Sequence, residues 1–144
     1  MTLLADAVVI RDETIPGANT ALRVGTVLEN IVNGTIITPP NLGADANDYN
    51  PAGLADATVI RQAASGGGGG PRRITGIVAP PLGDNRTITI YSLGTKDLSL
   101  RDNDAGSIAA NRFLLAADVT ILVERSRTIW YDHIVQRWRL RGAL

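Results

Sequence analysis

The chain has 144 residues, with fourteen basic and fourteen acidic side chains and no cysteine. Balanced charge argues against a nucleic-acid binder, whose domain is ordinarily net basic, and the lack of thiols excludes a disulfide framework or a thiolate metal site. No apolar run approaches the roughly 20 residues that span a bilayer, and the start Met1–Asp6, with no basic stretch and an early carboxylate, is not expected to act as a secretory signal.

A chain of this length suits one compact domain with one appended segment, able to hide about 68–70% of its unfolded surface. One Phe, two Trp and three Tyr against many Val, Ile and Leu make the core aliphatic and favour strands. The zero net charge conceals a gradient. Residues 1–50 hold six acids and two arginines, whereas residues 111–144 hold six arginines and three acids. Opposite ends of opposite sign can attract between neighbouring subunits, although ordinary solvated surface fluctuates as much. Lys96 is the only lysine, and arginine is the better interface cation because its planar fork is weakly hydrated and binds carboxylates bidentately.

Along the chain, Ala7–Arg11 reads as a short strand or extended arm, closed by Pro16-Gly17. A helix is predicted over 20–33, capped by Asn19 or Thr20 and stopped by Asn33-Gly34. Val24, Val27, Leu28, Ile31 and Val32 share one face, while Gly25 costs about 1 kcal/mol of propensity. A helix of about 14 residues is marginal alone, so its apolar face needs a partner: its own domain, a sister subunit or another protein. Residues 39–53, with three prolines, two glycines and several Asn and Asp, read as a linker. The boundary is placed there, giving an arm and helix over 1–50 for attachment and oligomerisation, and a β-domain over 51–144.

From 54 onward the pattern predicts about eight short strands: 58–62, 74–79, 86–91, 98–100, 113–115, 119–123, 128–131 and 136–140. Gly, Pro and Asn turns separate them at intervals of roughly 8–12 residues, which indicates a mainly β fold, an antiparallel β-sandwich of jelly-roll type. Leu4–Arg11 matches Leu54–Arg61 at seven of eight positions. The likeness ends there and makes no solenoid repeat; it suggests two strands in similar environments, or chance reuse of an apolar strand.

No catalytic, metal or cofactor site is expected. His133 is the only histidine and sits in a turn without a nucleophile motif. Asp102-Asn103-Asp104-Ala105-Gly106 resembles the opening of a calcium loop, but Phe113 stands where the loop needs Glu; an Asp/Asn-rich turn explains the stretch. The run Gly66–Gly70 lacks the Lys-Ser/Thr of a phosphate loop. Arg137, Arg139 and Arg141 alternate on the last strand, with Trp138 and Leu140 pointing inward, a charged face that protects an edge. Trp130 and Trp138 lie on two arms of a closing hairpin. They suit core or subunit packing, or, with Tyr131 and Tyr91, a sugar-stacking surface.

Two stretches resemble a known family. Asp84-Asn85-Arg86, Asn111-Arg112-Phe113 and Tyr131-Asp132 with Arg137-Trp138-Arg139 are similar, in that order, to a β-domain of tailed-phage structural proteins. Val9–Thr20 resembles the start of phage fibre and head-attached proteins, in which the N-terminal part does the attaching. The resemblance implies a virion structural protein without catalytic residues: a capsid decoration (cement) protein, head fibre or tail-fibre module, commonly a homotrimer. The brevity of the chain favours decoration over a long fibre. The expected partners are sister copies and the major capsid protein or another virion protein. Host glycan is an alternative partner, and neither direct nucleic-acid contact nor membrane insertion is expected. Location on the capsid exterior, after synthesis in the host cytoplasm, follows. Val8, Val9, Ile10, Val24, Val27, Leu28 and Ile31 are the candidate interface residues, and Trp130, Tyr131 and Tyr91 the candidate ligand surface.

Overall fold

The computed structural model describes residues 34–142. The expected arm at 7–11 and helix at 20–33, with all seven candidate interface residues, lie outside the described residues. So does Leu4–Arg11, whose counterpart Leu54–Arg61 forms a 3-10 turn (Leu54–Asp56) leading into a strand. Gly34, read as a left-handed stop, has φ 61°.

Eight strands form: β1 Thr35–Ile37, β2 Ala57–Ala64, β3 Arg72–Ile74, β4 Thr87–Gly94, β5 Leu98–Leu100, β6 Val119–Ile121, β7 Ser126–Asp132 and β8 Arg137–Leu140. They make a five-stranded sheet in the order β1-β2-β4-β7-β8 and a three-stranded sheet β3-β5-β6. The mainly β expectation holds, but the pairing is mixed. β1 with β2, β2 with β4 and β3 with β5 are parallel, while β4–β7, β7–β8 and β5–β6 are antiparallel. The purely antiparallel pairing of a jelly roll therefore does not form.

The parallel pairs describe a winding. Each of three passes enters through the five-stranded sheet, turns, and returns along the three-stranded one. The second pass uses β2 then β3, and the third uses β4 then β5. The first uses β1, then bridges to the second pass at Leu42–Ala64, Ala46–Ile74 and Tyr49–Ile77, all parallel. Residues 39–53 are thus a structural leg rather than a linker. Their backbone bonds the next pass through Leu42 N to Ala63 O (2.9 Å), Ala46 N to Arg73 O (2.9 Å) and Tyr49 N to Gly76 O (2.8 Å). Spaced single bridges need no apolar alternation, which is why this leg reads as loop. The compact unit accordingly begins at Thr35 rather than at 51. The expected strand 113–115 is reduced to bridges from Phe113 to Asp102 and Trp138.

The core lies between the sheets. Ile60, Ile88, Ile90 and Ile129 face inward from the larger sheet and Ile74, Leu98, Leu100 and Ile121 come from the smaller, all 0–1% exposed. Strict alternation in β4 buries Ile88, Ile90 and Ser92 and turns Thr87, Thr89, Tyr91 and Leu93 outward. Gly94 ends that strand at φ 93°, where a Cβ would stand 2.4 Å from Ala64 O. Only glycine admits the turn that lets Thr95 N and Lys96 N both bond that carbonyl.

The β7–β8 hairpin closes the body through Trp138. This side chain is fully buried, donates Nε1–H to Ile77 O at 2.8 Å and meets the Tyr131 ring edge-on with centroids 5.2 Å apart. Its backbone accepts from Leu114 N and donates to Arg112 O. Trp138→Ala should cost about 3–5 kcal/mol by cavity formation. Trp138→Phe should lose less, mainly through the orphaned Ile77 carbonyl, about 1–3 kcal/mol. Urea unfolding measures both, and a loss below about 1 kcal/mol for the alanine variant would contradict this closing role.

Candidate functional site

Chemistry requires groups that the fold has not already used, and most buried polar side chains here are bonded within the fold. Gln62 in β2 is fully buried. Its Oε1 accepts from the Tyr49 hydroxyl, and its Nε2 donates to Pro40 O (3.0 Å) and Ala63 O (2.7 Å). Burial pushes the Tyr49 phenol up to about 12. A second cluster surrounds Asp48, which accepts from Asn111 Nδ2 (2.8 Å) and Ile108 N (2.9 Å). The Asn111 bond, reinforced by Ile108, Ser107 and the Arg112 charge, holds the Asp48 carboxyl below its usual value against the opposing effect of desolvation. Thr75 Oγ1 joins Asn47 Oδ1 (2.8 Å) and Ser107 Oγ (2.7 Å). Both clusters tie the first pass to the rest of the body.

Most of the motif residues behave the same way. Arg86 bonds Leu54 O at 2.8 Å and the Asp84 carboxylate. Asn111 Oδ1 accepts from Ala79 N (2.8 Å), and Arg112 Nε donates to Ser107 O (2.8 Å). Phe113 is fully buried. The Tyr131 hydroxyl donates to Ala110 O (3.1 Å), and Arg139 pairs with Asp132 at 3.3 Å. His133 Nε2 lies 2.8 Å from Asp84 O and its ring meets Tyr131 edge-on. It pins one turn to another. Among the described residues no group of three His, Asp or Glu is arranged to hold a metal ion.

The candidate ligand surface divides. Tyr131 is 3% exposed and faces the core, whereas its neighbour Trp130 is 36% exposed on the opposite face. Strand alternation forces this, so Tyr131 leaves the surface and is a core residue. Tyr91 does lie on the outer face, hydrogen-bonded to Glu124 at 2.7 Å, and that bond, before burial and the Glu124 charge, raises its phenol. In register Thr87 pairs with Trp130, Thr89 with Thr128 and Tyr91 with Ser126. Four residues at about 3.3 Å each place Tyr91 and Trp130 about 13 Å apart along the strands, in separate clefts.

The Tyr91 cleft is walled by Val59, Arg61, Thr89, Leu93 and Glu124, and holds both charge signs. The Trp130 cleft is walled by Asn85, Thr87 and Arg141. Asn85, Thr87 and Arg141 are not singled out for a site by the sequence. Positions 85 and 87 share the face of Trp130 only through the β4–β7 register, and Arg141 joins through its backbone bond to Thr128 O (2.8 Å). Comparison with protein-family models, curated proteins and solved structures finds no significant match to this chain.

The shifted groups imply a pH profile. An unfolded Tyr49 ionises near 10.0 but the folded one near 12, so its contribution is whole below pH 10 and falls away as pH rises towards 12. Asp48 is lowered from 3.8, so its contribution is whole above that value and is lost as acid takes pH through the folded one. Denaturant midpoints measured across pH should show a shallower alkaline decline for Tyr49→Phe and a shallower acid decline for Asp48→Asn, each with a lower plateau at neutrality. Profiles parallel to the parent would refute the assignment.

Proposed function

We propose that the chain is a structural protein of a tailed-phage particle, decorating or cementing the capsid exterior as a homotrimer through protein–protein contacts. One observation carries the reading: most residues of the phage-like motifs, Arg86, Asn111, Phe113, Tyr131 and Trp138 among them, hold this body together. Asn111 joins two passes through Ala79 and Asp48, and Trp138 anchors the closing hairpin on Ile77. Large apolar side chains left in solvent add support for contacts with other proteins: Leu82 at 90%, Ile134 at 94% and Ile36 at 59% exposure. Leu82 and Ile134 sit in turns joined by the His133–Asp84 bond.

In this reading the chain acts on no substrate and needs no cofactor. The N-terminal segment makes the attachment to the major capsid protein or another virion protein, and synthesis takes place in the host cytoplasm. The alternative, a head-fibre or tail-fibre module that binds host-surface glycan, is favoured by a different observation. Trp130 stays exposed beside polar side chains that bond nothing else among the described residues.

Light scattering coupled to size exclusion should give three times the 15.2 kDa chain mass; a monomer would sink the trimer. Truncation should then start at Thr35, since removal of residues 1–50 would take away β1 and Tyr49. The chain from Thr35 should stay folded by circular dichroism but fail to co-sediment with empty heads of the phage that encodes it. Undiminished decoration would overturn the N-terminal anchor.

A further inference from the structure

We propose that the cleft formed by Asn85, Thr87, Trp130 and Arg141 binds a carboxylated sugar, such as a uronic acid of a surface polysaccharide. The inference deepens the glycan reading and rests on it; capsid decoration can hold or fail independently.

The outer face of the five-stranded sheet satisfies most of its own polar groups. Thr89 and Thr128 bond each other at 2.9 Å. The Tyr91 hydroxyl takes Glu124, and Arg139 takes Asp132. At the corner where β4 begins this pattern stops. Among the described residues the Asn85 amide, the Thr87 hydroxyl, the Trp130 indole N–H and the Arg141 guanidinium have no side-chain hydrogen bond, and Arg141 has no carboxylate within ion-pair distance. These four residues line an open cleft of about 340 Å³, at the low end of the roughly 300–1,000 Å³ of small-ligand sites. That is room for one sugar ring, with the glycan leaving through the open side.

The chemistry converges on one ligand class. An exposed indole offers a flat, electron-rich face, and the axial C–H groups of a pyranose present the complementary positive edge. Asn85 and Thr87 supply donors and acceptors matched to sugar hydroxyls. Arg141 adds a permanent charge whose planar fork fits a carboxylate bidentately. The two acids nearest this corner in sequence are occupied: Asp84 by Arg86, and Asp132 by Arg139 and the Ile134 amide. The corner therefore keeps a net positive field beside an aromatic platform. The Tyr91 cleft lacks this combination, because Glu124 lines it and would repel an anion.

The test is an array of uronic-acid and other carboxylated oligosaccharides printed beside their carboxyl-reduced counterparts, probed with the full chain. Hits are titrated by fluorescence, which reads exposed Trp130 against buried Trp138. The expected result is binding of acidic glycans, at least about tenfold tighter than of the reduced forms, with quenching that weakens in salt. Trp130→Ala should abolish binding. Arg141→Gln should bring acidic and reduced glycans to equal affinity, a loss of about tenfold or more for the acidic form. Both positions are exposed, so unchanged thermal melts verify folding. Equal binding of reduced and acidic glycans by the parent would overturn the acid preference and leave the glycan reading standing. Acidic binding untouched by Trp130→Ala would overturn the site. No binding to any glycan, acidic or neutral, would overturn both the inference and the glycan reading.

Discussion

Parallel pairing of neighbouring strands is the constraint from which the rest of this body follows. Two strands that run the same way cannot be joined by a tight turn; the chain must travel back before it can pair again. Here β1, β2 and β4 are parallel neighbours, and the return path is a second sheet rather than a helix. The path out and the path back enclose the core, so sheet pairing and core formation are one process. The β7–β8 hairpin then covers the last pass in antiparallel fashion, ending the winding with a register that strand turns can supply.

A return path without long strands needs other ties, and the buried polar groups supply them. Gln62 sits in a central strand with no exposure at all, yet its amide is fully engaged by Tyr49, Pro40 and Ala63. A buried amide left unbonded would cost about 1–3 kcal/mol, so these partners are conditions for the first pass to lie where it does. Asp48, at φ 45°, does the equivalent at the other end through Asn111 and Ile108. Strain in the left-handed region is held there by bonds on both sides of the residue, since Asp48 N also donates to Ser107 Oγ.

The division of labour between faces follows from the same economy. Most motif side chains, Arg86, Asn111, Arg112, Phe113, Tyr131 and Trp138 among them, are engaged within the body, whereas the motif residue Asn85 stays at the surface. The outer sheet face carries Trp130 with Asn85, Thr87 and Arg141, and adjoining turns carry Leu82 and Ile134 in solvent. The proposed protein and ligand contacts would thus be compatible on one small body, because different turns and strand faces would present them.

Much of this was legible in the residues. The alternation in Thr87–Tyr91 specified a strand with Ile88 and Ile90 inward, and Arg137–Leu140 specified a strand with Trp138 inward, because a period of two assigns faces without reference to any partner. The hairpin joining the two tryptophan strands was legible for the same reason. Strand direction was not, since an alternating strand looks identical whether its neighbour runs parallel or antiparallel. The leg 39–49 was hidden because its prolines and glycines suit single bridges as well as loops. The candidate cleft was half visible: the aromatic stretch drew attention to Trp130 and Tyr131 together, but adjacent strand residues face opposite ways, and only one remains exposed. Thr87 at the start of β4, Asn85 just before it and Arg141 just after β8 meet Trp130 through a register set by packing across the sheet. Sequence by itself determined the strands with a clear period of two and the inward side chains on them, such as Ile88, Ile90 and Trp138, both being local consequences of side-chain period. Tertiary structure alone decided strand direction, the winding of the passes and the company of Trp130, because these depend on contacts between segments that no local pattern encodes.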